Sequence, residues 1–257
     1  MIIQIYEVQT PFEADKLMDL GVDHIGSVIV SKASLKVPSI KDTIHLIHGR
    51  GFKSTLIPLF DDLDAISFML DYYNPDIVHF CEVITLVSGP NDFCKKQVLI
   101  QKSIKKRFPE IKIMRSIPIS RSQDPDQGET IELARLFEPI SDYFLTDTLI
   151  TDRWGSLPDL QPVKGFVGIT GKTCNWGTAA KLVRFSRIPV ILGGGITPDN
   201  VFNGIMNVTP AGVDSCTGTN AVDSKGRPIR FRKDPLKVKH LVEEARRAGK
   251  MLDADEH

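Results

Sequence analysis

Cysteine is scarce in this chain. Its four residues (Cys81, Cys94, Cys174 and Cys216) show neither close pairing nor metal-ligand spacing. No disulfide framework or metal site is indicated, and a reducing, cytoplasmic setting follows. Net charge is absent too: 32 basic and 32 acidic residues cancel. Nothing in that balance argues for nucleic acid or a membrane surface as a partner. No apolar run is long enough to span a bilayer, and residues 1–8 lack the pattern of a cleaved signal peptide. Short repeats and low-complexity blocks are missing as well.

What is present is alternation. The 257 residues suit one large domain, a length typical of a barrel of strand–helix units. Strand-like runs begin at Ile2, Asp23, Lys53, Asp76, Ile111, Asp142, Ile188 and Gly212, and helical patterns separate them. Such alternation implies parallel strands joined by crossover helices. Eight units predict a single-domain TIM (β/α)8 barrel over residues 1–250, with an open doubly wound sheet as the alternative. The acidic end, 251–257, reads as a frayed tail.

The most informative stretch runs from Ile188 to Asn220. A β-branched run ends in Gly193, Gly194 and Gly195, and Thr197 with Pro198 suits the cap and first position of a helix. A second strand then ends at Asp214 before Cys216, Thr217, Gly218 and Thr219. Glycines past strand ends let backbone N–H groups approach an anion, and hydroxyls add donors. The loops after strands 7 and 8 are the usual phosphate site of a barrel. Tight turns alone would explain one such cluster; two consecutive strand ends favour phosphate. The long connection from Thr148 to Thr173 reads either as a mobile lid on the same face or as a surface insertion.

Gly171-Lys172-Thr173-Cys174-Asn175-Trp176, the run Gly193 to Val201, and Gly212 to Asn220 follow one another in that order. Together they resemble the phosphoribosylanthranilate isomerase family, barrel enzymes of tryptophan biosynthesis. That family carries Gly-Lys-Thr-x-Asp-Trp, a Gly-Gly run leading to Pro-x-Asn, and Ser-Ser-Gly after strand 8. Lys233-Asp234 also matches the family's closing Lys-Asp. The resemblance is strong from about Asp142 onward and collinear before it.

The resemblance implies an Amadori rearrangement, an aldose–ketose isomerisation of a phosphoribosyl compound. A general acid acts at the furanose oxygen and a general base at the adjacent carbon. Asp147 matches the family's acid. The base position differs: Tyr6 stands where the family has cysteine, and Glu7 where it has glycine. A phenol titrates near ~10, a poor match to neutral pH. Glu7 is a stand-in that strand alternation should turn away from Tyr6's face. Cys81, at the strand 4 end, is a third candidate, and His79 reads as core or wall. The family's substrate-gripping arginine is replaced by Leu35, with Lys36 beside it.

Phosphate contacts are expected from Gly193, Gly194, Gly195, Thr217, Gly218 and Thr219. Asp214 would be a polar group at the strand 8 end, and Lys172 part of a closing loop. No metal or organic cofactor is implied. The expected partner is a phosphorylated small molecule, with no nucleic acid or membrane, for a monomer or homodimer. Two other readings are a non-catalytic protein that binds a phosphoribosyl ligand and a different sugar-phosphate enzyme using Glu7 or Cys81.

Overall fold

A computed structural model describes residues 1–86, 89–121, 128–150 and 161–255. Eight parallel strands close into a barrel in sequence order, β1 pairing with both β2 and β8. They are β1 (Ile2–Ile5), β2 (His24–Ile29), β3 (Lys53–Pro58), β4 (Ile77–Phe80), β5 (Lys112–Ser120), β6 (Tyr143–Leu149), β7 (Val190–Leu192) and β8 (Gly212–Ser215). Around them lie α1 (Pro11–Asp19), α2 (Pro38–Gly49), α3 (Leu63–Tyr73), α4 (Asp92–Arg107), α5 (Glu129–Phe137), α6 (Trp176–Phe185), α7 (Val201–Val208) and α8 (Pro235–Asp255). The expected barrel is therefore the observed one.

Local chemistry explains the helix starts. The side chains of Thr10, Asp62, Asn91 and Asn175 each accept a hydrogen bond from a first-turn N–H of the helix that follows. Every residue of β2 and β4 is buried, as expected for strands covered on both faces. Outward residues such as Ile3 and Ile5 join the α1, α7 and α8 side chains in one cluster. Inward residues, among them Tyr6, Ile57, Met114, Leu145 and Ile191, fill the barrel.

Two expectations need correction. The regular part of α7 starts at Val201 with Asn200 at its cap, not Thr197. Asn200 is drawn back into the preceding turn: its Oδ1 accepts from Thr197 N at 2.8 Å and its Nδ2 donates to Gly195 O at 2.9 Å. The final helix continues through Asp255, so residues 251–255, expected as a tail, are helical. Its side chains Val238, Leu241, Val242, Ala245 and Ala248 anchor it in the core. Residues 256–257 lie outside the described residues.

An antiparallel hairpin that the strand–helix alternation does not anticipate sits between β8 and α8. It pairs β9 (Asn220–Val222) with β10 (Pro228–Lys233), turning at Asp223 to Arg227. Asp223 Oδ1 accepts from Lys225 N and Arg227 N, and Gly226 supplies the left-handed residue. Lys233 fastens the hairpin base: its Nζ donates to Cys216 O at 2.9 Å and to Asn220 Oδ1 at 2.5 Å.

Candidate active site

The C-terminal strand ends form a mouth with two adjoining chambers. One is apolar on the β2–β3 side, where Val28, Ile57, Leu59, Phe166 and Val167 line it. The other is glycine-rich on the β7–β8 side, lined by Gly171, Gly194, Gly195, Thr217 and Gly218. Asp147, Asp214 and Cys216 line both.

The glycine-rich chamber is built by close backbone approach. Gly194 and Gly195 sit at φ +83° and +66°, a region that glycine enters without strain. A β-carbon at Gly218 would run into Ile196 O and the backbone of Thr197. Thr217 Oγ1 is buried there with no hydrogen-bond partner among the described residues. Not every expected phosphate ligand is present. Gly193 N donates to Thr146 Oγ1 at 3.1 Å, which removes its N–H from service. Thr219 spends both N–H and hydroxyl on Cys216 O. Neither lines the chamber.

Asp147, on β6, is half-buried beneath the segment 161–173. Gly168 lies against its carboxyl, at φ +112°. Thr148 N donates to Asp147 Oδ1 at 2.8 Å, yet burial prevails and lifts the acid to about 7. Asp214 is pushed to about 8, first by burial; the Gln4 amide at 3.2 Å partly offsets this, while Asp147 adds to the rise. Two carboxyls at the chamber junction therefore titrate in the neutral range.

The segment over the mouth is docked at several points. Val167 N donates to Cys81 O at 2.8 Å, Val83 N to Gly165 O at 2.9 Å, and Thr148 Oγ1 to Lys172 O at 2.5 Å. The anticipated lid thus divides: 161–173 packs on the barrel, and 151–160, including Trp154, lies outside the described residues. The Lys172 side chain stays exposed on the rim.

Tyr6 points into the barrel, where its hydroxyl meets His79 Nδ1 at 2.7 Å. His79 Nε2 in turn meets Ser116 Oγ at 2.8 Å. Burial, with Arg115 adding, depresses His79 to about 3, so the ring is neutral. Burial also holds the Tyr6 phenol well above its ordinary value, with Asp214 reinforcing it. The Cys81 thiol is raised likewise, by burial, then by Glu82 and Asp147. Both line the apolar chamber as protonated groups.

Glu7 also lines that chamber, contrary to its place in the strand alternation. Its φ of +63° turns the side chain inward. Arg230, a residue that sequence reading passed over, reaches it from β10 at 2.5 Å. Lys36 is not brought to the site. Its ammonium lies 5.2 Å from the ring centres of Phe68 and Tyr72 on the outer surface of α3. Leu35 packs in the outer cluster near it. Among the described residues no group of three His, Cys, Asp or Glu side chains could hold a metal ion.

No family model matches the chain. It is 25% identical over 246 residues to N-(5'-phosphoribosyl)anthranilate isomerase of Methanothrix thermoacetophila, covering 95% of this chain and 97% of that protein. The chain is a homologue of the phosphoribosylanthranilate isomerases. Isomerase 2 of Methanosarcina mazei is 35% identical over 144 residues, 56% of this chain and 53% of that protein. The alignment thus spans about half of the Methanosarcina isomerase. The solved isomerase from Pyrococcus furiosus superimposes with a TM-score of 0.66 over 96% of this chain and 99% of that one, at 18% identity. That structural likeness concerns the barrel fold alone. No helix among the described residues is long and apolar enough to cross a membrane.

Proposed function

We propose that this protein is a phosphoribosylanthranilate isomerase-type enzyme of tryptophan biosynthesis, converting an N-linked aminoaldose phosphate into the aminoketose phosphate. The observation that carries this reading is the pair of chambers meeting at Asp147 and Asp214. Backbone N–H groups and the unpartnered Thr217 hydroxyl suit a phosphate. The apolar chamber suits an aromatic amine. The sugar would then span the junction, its ring oxygen near Asp147. An acid near 7 is well matched to donating a proton at neutral pH and opening the furanose ring.

On this reading Gly194, Gly195, Thr217 and Gly218 contact the phosphate, and Asp214 contacts the sugar. Lys172 belongs to the covering segment. Tyr6 and Cys81 are walls of the aromatic chamber. The four free cysteines support a reducing, cytoplasmic setting, and the enzyme would act as a monomer or homodimer without a cofactor.

Freshly generated phosphoribosylanthranilate, followed by loss of its fluorescence, tests the proposal, with the Asp147→Asn variant run alongside. Turnover by the wild type that disappears in the variant is the expected result. No turnover, with inorganic phosphate still raising thermal stability, would instead leave a phosphoribosyl-ligand binding protein. That second reading draws on the Tyr6–His79 hydrogen bond, which commits the residue at the family's base position to packing.

A further inference from the structure

Strand β1 ends at Ile5, and Tyr6 continues its inward alternation. Glu7 would then face the helices. Its left-handed backbone, which costs a non-glycine residue on the order of 1 kcal/mol or more, swings it into the mouth instead. There the carboxyl group is buried. Its Oε1 accepts from Arg230 Nε at 2.7 Å, and the second guanidinium contact is at 2.5 Å. Its Oε2 is also buried, yet it has no hydrogen-bond partner among the described residues.

Arg230 is itself placed with care. It comes from a hairpin strand whose pairing register shifts between Pro228 and Lys233. The next residue, Phe231, also has a left-handed φ, +60°, and its ring centre lies 4.8 Å from the guanidinium carbon. Two strained residues, one on each side, thus converge on a single ion pair. A buried carboxylate with an idle oxygen is costly unless something uses that oxygen.

We infer that Glu7 is the general base of the isomerisation and Arg230 its positioning residue, so that the β9–β10 hairpin replaces the family's strand-end cysteine. This rests on the isomerase reading above. Once Asp147 has protonated the ring oxygen and the ring has opened, the sugar carries an iminium at C1. Glu7 Oε2 takes the C2 proton. The C2–H electron pair becomes the C1–C2 double bond, and the iminium π pair moves onto nitrogen, giving an enolamine. Loss of the enol proton and protonation at C1 complete the ketose, with no net gain or loss of protons.

The other titratable groups facing this region fit worse. Tyr6 is hydrogen-bonded to His79. The Cys216 thiol beside Glu7 is pushed up by burial, only partly offset by Lys233, and raised further by Glu7 and Asp214. Asp214 is mostly protonated at neutral pH.

The test compares kcat and KM for phosphoribosylanthranilate in the wild type, Glu7→Gln, Arg230→Gln and Arg230→Lys, with inorganic phosphate shifting thermal stability as the check on folding. Glu7→Gln should lower kcat by about 10²–10⁴-fold with KM little changed. Arg230→Gln should lower kcat by up to about a hundredfold, and Arg230→Lys should recover much of it. If Glu7→Gln does not fold, Glu7→Asp keeps the charge toward Arg230, withdraws the carboxylate by one methylene and should also lose kcat. Glu7→Gln turning over like the wild type, while Asp147→Asn is inactive, overturns this inference and leaves the isomerase reading standing. An Arg230→Gln effect confined to KM overturns the positioning role. No turnover by the wild type overturns both.

Discussion

Gly168 lies directly against the carboxyl of Asp147, so that a β-carbon at residue 168 would collide with Oδ2. The contact links two segments with no local sequence relation, the end of β6 and the segment that covers it. The contact covers part of the carboxyl, and loss of hydration is what raises its pKa. Gly168→Ala should therefore separate the segment from the barrel. The left-handed φ of +112° adds strain on the order of 1–3 kcal/mol. We expect kcat to fall roughly tenfold to a hundredfold. We also expect the upper limb of the pH profile to move to lower pH as Asp147 regains hydration. An unchanged profile would mean that Gly168 does not control the acid.

Asp147 and Asp214 make stability and activity fall together as pH rises. Their folded pKa values, about 7 and about 8, lie above the ordinary aspartate range. The native state therefore binds more protons than the unfolded chain between about pH 4 and those values, and stability falls as pH rises through that window. Activity that needs protonated Asp147 falls as pH rises through about 7. Asp214→Asn should flatten the stability decline and raise the melting temperature at pH 8, by an equivalent on the order of 1 kcal/mol or more. Melting curves at pH 5 and pH 8 check the sign: the variant's advantage should be much larger at pH 8 than at pH 5.

The barrel was legible because buried parallel strands leave continuous apolar runs, and helices announce themselves by caps such as Asp62 and Asn175. The glycine-rich chamber was legible in outline only. Gly193 and Gly194 look alike in sequence, yet one N–H is consumed by Thr146, a residue 47 positions earlier. Glu7 was visible as a candidate, but its inward direction depends on one backbone angle that no alternation rule supplies. Arg230 was not visible at all. It is one of three arginines on a short basic hairpin and meets a partner 223 residues away. An Asp-Ser-Lys-Gly turn between Val222 and Arg227 is the signal that could have disclosed the hairpin.

Outside the mouth, the buried pair Arg115–Glu82 sets a different expectation. Arg115 Nη1 donates to Glu82 Oε2 at 2.6 Å, with both side chains almost fully buried and the guanidinium 4.8 Å from the Phe137 ring centre. Glu82 also pairs through its backbone with Phe166 in the covering segment. Removing one partner strands the other charge, so Glu82→Gln should destabilise by about 3–5 kcal/mol. Replacing both with apolar residues of similar volume should cost much less. Denaturant unfolding of the two variants measures this, and equal losses in the single and double variants would contradict it.

Tyr6 and Gly26 form the last coupled pair. A β-carbon at Gly26 would collide with Cδ1, Cε1 and Cγ of the Tyr6 ring, so the small residue on β2 and the large one after β1 fill one space between them. Gly26→Ala alone should overpack the barrel and cost about 1–3 kcal/mol. Tyr6→Cys should cost about 3–5 kcal/mol by leaving a cavity, and it also deprives His79 Nδ1 of its partner. The double variant should be more stable than the sum of the two losses predicts, because the new methyl group occupies space the ring has vacated. Unfolding free energies for the complete cycle decide the point. Additive losses would show that Gly26 is small for a reason other than Tyr6.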